Sequence, residues 1–324
     1  MPHSLRQKLS DLGTLEVGKI FPNEPLNRHC SWQIGGPADL LVEPENIDQI
    51  LTLVTFVRNN QIPLVVIGQG TNLLFDDAGL RGVVLKLGAD FSQLEVVGNI
   101  MTADAGLWVP QLARRAMQAG LAGFEHCIGI PGTLGGLVMM NGGSHRKGIG
   151  ETVRRLWVVD IQGKLQVLNQ ADCGFSYRSS VLQGRGDILL RVELECSPGQ
   201  SGKIRREMLA DLRERRLKFP RKTPNCGSVF LSTTEMHKTV GPPGQIIEEA
   251  GLKGTRIGMA EVSDQHANFI LNLGGASSTD VLKLIKYVRR TVQQKIGFEL
   301  HCEVRYVSTQ GVVEPVNLAL KANC

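Results

Sequence analysis

The chain has 324 residues, enough for about two domains at ~150 residues each. Hydrophobic residues make up 42% and charged residues 21%, ordinary globular proportions that exclude disorder, collagen and coiled coil as the main state. The charge sum of 36 − 31 = +5 suits an anionic small ligand, but is weaker than the field of a dedicated nucleic-acid binder.

The start, Met1 to Gly18, carries Arg6 and Lys8 but no apolar core of a secretory signal, so a cytoplasmic protein is expected. The most apolar stretch, Cys127 to Met140, is too short for a membrane span and is broken by Gly129, Gly132, Gly135 and Gly136. Cysteines 30, 127, 173, 196, 226, 302 and 324 form no C-x-x-C pair, which points to reduced, buried thiols and to no metal.

Short β-branched runs mark strands at Leu40–Val42, Leu64–Ile67, Val83–Leu87, Leu94–Val97, Leu156–Asp160 and Leu165–Leu168. Between the first two, Asn46 to Asn60 sets Ile47, Ile50, Leu51, Val54 and Val57 on one helical stripe. Val109 to Gln118 is a second helix, closed by Gly120. Asp160-Ile-Gln-Gly163-Lys reads as a hairpin turn. Ile188 to Cys196 alternates as a half-buried strand, with Arg191, Glu193 and Glu195 on the outer side. Ser197-Pro-Gly-Gln-Ser-Gly202 is the expected domain break.

Beyond the break, Lys203 to Lys218 is a charged helix ended by Pro220. Its cluster of Arg205, Arg206, Arg213, Arg215, Arg216, Lys218, Arg221 and Lys222 is mixed with acidic residues and reads as a solvated face more readily than an RNA site. Thr279 to Ile296 is strongly amphipathic, with Ser277-x-x-Asp280 as a capping box and Gly297 as its C-cap. Glu299 to Val307 alternates as a final strand, with Glu303 on the polar face beside His301 and Arg305. The expected plan is two α+β units, residues 1–200 and 203–307, with a loosely held tail at 308–324.

Glycine clusters carry the chemistry. Gly68-Gln-Gly70-Thr71-Asn72-Leu73 follows a strand directly, and Gly129-Ile130-Pro131-Gly132-Thr133-Leu134-Gly135-Gly136 is a second rigid loop. Each alone reads as a tight turn or as an anion nest of backbone N–H groups. Two such loops in one basic domain favour a large diphosphate ligand, which is charged at its middle and takes donors from more than one segment.

These loops, with Gly35-Gly36-Pro37-Ala38, Ser176-Tyr-Arg178-x-Ser180, Gly227-Ser228-Val-Phe230, Ala250-Gly-Leu-Lys-Gly254, His266-Ala-Asn268-Phe269 and Glu303-Val-Arg305, occur in the order found in one flavoenzyme family. Over roughly residues 15–307 the chain resembles the UDP-N-acetylenolpyruvoylglucosamine reductases of peptidoglycan precursor synthesis. The resemblance implies a two-part FAD-binding domain of the vanillyl-alcohol-oxidase type, followed by a smaller α+β substrate-binding domain. It implies NADPH as reductant, hydride delivery from the flavin to the enolpyruvyl methylene carbon of a UDP-sugar, and protonation at the neighbouring carbon. Ser228 aligns with the family's proton donor, Arg178 with the arginine beside the substrate carboxylate, and Glu303 with the glutamate that hydrogen-bonds the enolate or assists its protonation. FAD contacts are expected from Gly68, Gly70, Thr71, Asn72 and Leu73, from Gly129, Ile130, Pro131, Gly132, Gly135 and Gly136, and from the side chain of Asn141. Substrate contacts are expected from Arg178, Ser232 and Asn268. His266 reads as a structural histidine. No nucleic-acid or membrane partner is expected, and a monomer is.

Two stretches depart from the family pattern. Asn141-Gly-Gly-Ser-His145-Arg146 replaces Asn-Ala-Gly-Ala-Tyr-Gly and puts a basic pair near the expected flavin rim. Leu231-Ser232-Thr233 replaces Lys-Asn-Pro, so Ser232 stands where an asparagine is expected to touch the UDP diphosphate. The short run from Phe230 to Gly251 implies the subtype without the extra tyrosine-bearing loop. Two alternatives stay open: an oxidase of the same fold that uses dioxygen, and a non-catalytic nucleotide or RNA binder.

Overall fold

The computed structural model describes residues 3–322. Its contacts divide the chain into two compact units. One comprises residues 1–21, 40–69 and 83–215; the other comprises 22–39, 70–82 and 216–324. The division therefore falls after Arg215 and not in the turn at 197–202, and two earlier segments belong with the C-terminal part. The reason lies in the charged helix, Ser201–Lys218, whose Ile204 and Met208 are buried in the first unit's hydrophobic core.

In the first unit, five antiparallel strands lie in the order Leu165–Asn169, Val153–Val159, Ile188–Glu195, Ile100–Asp104, Leu94–Val97. The hairpin at its edge turns as its sequence demands. Asp160 Oδ1 accepts from the N–H groups of Gln162 and Lys164, both at 2.9 Å, and Gly163 takes φ +80°. Ile188–Glu195 is the central strand, paired along both edges, and residues on both of its faces are buried. Glu193 is buried rather than outward-facing, and its carboxylate meets Arg155 at 2.8 Å and Arg154 at 3.5 Å. Strand Leu64–Ile67 pairs in parallel with Val83–Lys86. Helix Ile47–Asn59 is capped by Asn46, whose side chain accepts from Gln49 N–H, and it buries Ile50, Leu53, Val54 and Val57.

In the second unit, Arg256–Ile257, Ala260–Val262 and Ile270–Asn272 form one antiparallel sheet. A second sheet pairs Arg305–Val307 in parallel with Leu73–Phe75 and antiparallel with Val313–Pro315. Helix Ser278–Ile296 has the full capping box, Ser277 with Asp280, and ends at Gly297 with φ +78°. The alternation at 299–307 is a burial pattern more than a strand. Leu300, Cys302, Val304 and Tyr306 are all buried, yet ladder pairing is confined to Arg305–Val307 and a single bridge between Cys302 and Phe230. The tail is not loose. Strand Val313–Pro315 leads into helix Val316–Ala322, Val316 is fully buried, and Asn317 Oδ1 accepts from Cys302 N–H at 2.9 Å. Cys324 lies outside the described residues; the other six cysteines are free and buried. Among the described residues no helix is long and apolar enough to cross a membrane, and no metal-ligating cluster occurs.

Candidate active site

In the first unit, the two glycine loops meet. An ideal Cβ on Gly68 would lie 2.2 Å from Thr133 Oγ1, so only glycine lets the loop after strand Leu64–Ile67 approach the 129–136 loop this closely. Thr133 caps the short helix Leu134–Met139, and Gly135 N–H donates to Ala105 O at 2.7 Å, fixing the loop to the sheet. At Gly136 an ideal Cβ would make only an ordinary contact, 3.7 Å from Thr133 Oγ1. Gly132 takes φ +134°, a backbone state that side chains disfavour. Closely apposed backbone and nearby cations suit a dinucleotide diphosphate, so the residues present fit FAD.

Arg178 sits on a two-residue turn in which Ser176 and Ser179 exchange backbone hydrogen bonds of 3.0 and 3.1 Å. Its φ of +53° is a conformation that favours glycine, and an arginine held there is a hint of function. The turn is tightly tied. Asn141 Nδ2 donates to Ser176 O at 2.8 Å, Gln183 Nε2 donates to Arg178 O at 3.1 Å, and Ser180 Oγ donates to Met139 O at 2.7 Å. The Arg178 guanidinium donates to Gly143 O at 3.1 Å.

Asn141 accepts at Oδ1 from Gly150 N–H at 2.9 Å, so both ends of its amide serve backbone. It supports the site through the loops it ties. His145 Nε2 lies 3.1 Å from Asp211 Oδ1, which fastens the basic pair's loop to the charged helix.

Arg215 stands apart from the solvated face expected of its helix. Its side chain runs across Gly129, where an ideal Cβ would be 2.4 Å from its Cδ. Burial lowers its pKa, and Arg178 acts in the same direction while Asp211 opposes them. The two arginines therefore feel one another's charge. The missing side chain at Gly129 was the available clue. Burial also pushes the neighbouring Cys127 thiol up to about 12, against the pull of Arg178 and Arg215. That thiol is no nucleophile.

In the second unit, Gly70 N–Cα–C turns with φ +59° and packs so closely on His29 O that an ideal Cβ would be 2.1 Å from it. Thr71 and Asn72 follow, and Leu73 opens the strand Leu73–Phe75. Asn72 Nδ2 donates to Glu303 O at 3.1 Å, and Asn72 O accepts from Arg305 N–H at 3.1 Å. Glu303 N–H donates to Val229 O at 2.8 Å. Ser228 and Glu303 are thus brought onto adjoining backbone segments, and neither is fully exposed. Ser232 Oγ is 2.9 Å from His237 Nε2, while Thr233 caps helix Thr234–Thr239. Asn268 is buried at 4% exposure and binds Phe230 with both amide ends. His266 packs against both Phe219 and Phe269, with ring centroids 5.3 and 5.0 Å away, as a structural histidine does.

Residues 219–307 match the family model for the UDP-N-acetylenolpyruvoylglucosamine reductase C-terminal domain, and residues 38–169 match that of an FAD binding domain. UDP-N-acetylenolpyruvoylglucosamine reductase 1 of Corynebacterium glutamicum is 48% identical over 286 residues, which is 88% of this chain and 85% of that protein. The Bacillus subtilis reductase is 38% identical over 304 residues, or 94% and 99% of the two chains. The crystal structure of the reductase from Thermus caldophilus superposes with a TM-score of 0.75 at 31% identity, covering 89% of this chain and 98% of that one.

Proposed function

The chain belongs to the UDP-N-acetylenolpyruvoylglucosamine reductase family, and from that membership we propose that it reduces the enolpyruvyl ether of UDP-N-acetylglucosamine to UDP-N-acetylmuramate, with NADPH as electron source. It is a flavin-dependent oxidoreductase of mixed α/β fold, with an FAD-binding domain ahead of the family's C-terminal domain. Bound FAD supplies the two-electron chemistry. The backbone of Gly68, Gly70, Thr71, Asn72 and Leu73, and of the loop from Gly129 through Ile130, Pro131, Gly132 and Gly135 to Gly136, would hold it; Asn141 would fasten the segments at Gly150 and Ser176 instead of touching it.

The chain's own residues then divide the work. Arg178 presents a permanently charged planar fork, suited to a carboxylate and to the negative charge that builds beside it as the double bond is reduced. Ser228 delivers the proton to the carbon next to the carboxylate. A serine hydroxyl is a weak acid, so it requires a neighbour that stabilises its conjugate base or relays a proton. We assign that part to Glu303. The observation that carries this reading is the Glu303 N–H to Val229 O bond of 2.8 Å, which ties the proposed acid and the proposed glutamate to one stretch of pairing. Ser232 and His237 hydrogen-bond each other at 2.9 Å, which leaves one donor of the neutral pair for the diphosphate in place of the usual asparagine. The stretch from Phe230 to Gly251 is filled by helices Thr234–Thr239 and Pro243–Glu249, which supports the subtype without the added loop.

An anaerobic two-step experiment tests the assignment. The purified protein is expected to be yellow, to bleach with NADPH, and to regain colour faster with the enolpyruvyl UDP-sugar than with dioxygen. A colourless protein that takes up no flavin, or one reoxidised by dioxygen alone, overturns it.

A further inference from the structure

Ser228 occupies a short segment with unusual support. On one side, Glu303 N–H donates to Val229 O at 2.8 Å and Leu231 N–H donates to His301 O at 2.9 Å, an antiparallel pairing centred on Phe230 and Cys302. In such a pair the central residue's own N–H and C=O point away from the partner strand. A regular sheet would place another strand there. Here the side chain of Asn268 takes that place. Its Oδ1 accepts from Phe230 N–H at 2.9 Å and its Nδ2 donates to Phe230 O at 2.9 Å. Its backbone carbonyl accepts from Val229 N–H at 2.9 Å.

An asparagine amide carries one acceptor and two donor hydrogens on a planar fork, so it can reproduce both bonds of a strand neighbour. All three partners are buried, Val229 at 0%, Phe230 at 2% and Asn268 at 4% exposure, so water cannot replace these bonds cheaply. On the other side of Ser228, Asn225 Oδ1 accepts from Gly227 N–H at 3.0 Å, and Gly227 turns with φ +74°. The serine sits where a clamped segment meets a tight turn.

We propose that Asn268 is a positioning residue that sets where Ser228 presents its hydroxyl, acting through the backbone of Val229 and Phe230. The proposal rests on Ser228 being the proton donor. It replaces a direct substrate contact for Asn268, whose amide is already committed. The same device recurs at the other two residues of the proposed set: Asn141 ties the Arg178 turn at Ser176 O, and Asn72 ties Glu303 at its carbonyl.

The test is a double-mutant cycle on flavin-loaded enzyme, with each half-reaction followed by the flavin absorbance. Ser228→Ala, Asn268→Ala, Asn268→Asp and the double variant Ser228→Ala/Asn268→Ala are compared. Asn268→Ala is expected to leave reduction by NADPH within about twofold, and to slow reoxidation by the enolpyruvyl sugar ~10-fold or more, since misplacement of a group near the chemistry carries such penalties. In the double variant, reoxidation should be no slower than in Ser228→Ala alone, because Asn268 acts through the serine. Asn268→Asp keeps the acceptor and loses the donor, so an intermediate rate is expected; it also keeps the comparison possible if the alanine variant misfolds. Multiplying penalties in the double variant, or equal slowing of both half-reactions, overturns the positioning role. If Ser228→Ala itself reoxidises normally, the assignment of the proton donor has failed, a different outcome from failure of the clamp.

Discussion

Among single residues, Arg178 combines a costly backbone conformation with a guanidinium that donates to Gly143 O. Holding a non-glycine residue at φ +53° costs on the order of 1 kcal/mol or more, and Asn141 and Gln183 fasten the turn that bears it. Arg178→Lys is expected to lower turnover at least ~10-fold, because a point charge does not reproduce a planar fork. Steady-state kinetics with the UDP-sugar checks this; normal turnover would remove Arg178 from the carboxylate's side. Ser228→Ala is expected to slow reoxidation of the reduced flavin by ~10²-fold or more, the usual worth of a positioned proton donor, and to spare reduction by NADPH. The cysteines give a pH-based expectation. Burial raises Cys127 and Cys302 to about 12, and Cys173 and Cys196 to about 11, so essentially no thiolate exists at these positions at neutral pH. Iodoacetamide should leave all four unlabelled in the native protein and label them in denaturant, as read by peptide mass spectrometry.

At the level of elements, the glycine loops separate two kinds of close approach. At Gly68 an added Cβ meets Thr133, whose side chain also caps a helix and has nowhere to retreat. At Gly129 it meets the far reach of Arg215, a flexible side chain. Gly68→Ala is therefore expected to strip flavin from the purified protein, while Gly129→Ala keeps it and shifts Arg215; the ratio of visible to ultraviolet absorbance distinguishes the two. Helix Ser278–Ile296 was legible in full, because its 3.6-residue stripe, capping box and terminal glycine all act within one turn of chain. Removing the cap with Ser277→Ala should cost about 1 kcal/mol, measured as a shift in the urea midpoint. The run at 299–307 was legible only as burial, since alternation reports which face is covered and not whether a neighbouring strand supplies hydrogen bonds.

For the molecule as a whole, the interleaved chain has consequences for stability. The second unit needs residues 22–39 and 70–82: Trp32 Nε1 donates to Ile270 O at 2.7 Å, Asn272 Nδ2 donates to Trp32 O at 2.8 Å, and Leu73–Phe75 pairs with Arg305–Val307. A fragment of residues 203–324 lacks those partners, and a fragment of residues 1–200 lacks the buried Ile204 and Met208. Neither is expected to show a cooperative urea transition by circular dichroism. Stability should also depend on pH through two histidines, His126 in one unit and His266 in the other, each with its pKa lowered mainly by burial. The unfolded chain binds these protons at the ordinary value of about 6.5, so their contribution is present above that pH and is lost as the pH falls below it. The urea midpoint should therefore drop between about pH 7.5 and pH 5.5; a midpoint that rises on acidification would contradict the sign.

The sequence by itself determined the local elements, their caps and the two glycine loops. Such features follow from side-chain periodicity and from backbone conformations that a few residue types alone accept, and both operate over a handful of residues. Tertiary structure alone decided which segments share a unit, that Arg215 lies across Gly129, and that Asn72, Asn141 and Asn268 commit their amides to distant backbone. Bonds such as that from Asn72 to Glu303, 231 positions apart, depend on where the folded chain leaves a donor or acceptor unsatisfied, and no period in the sequence records that.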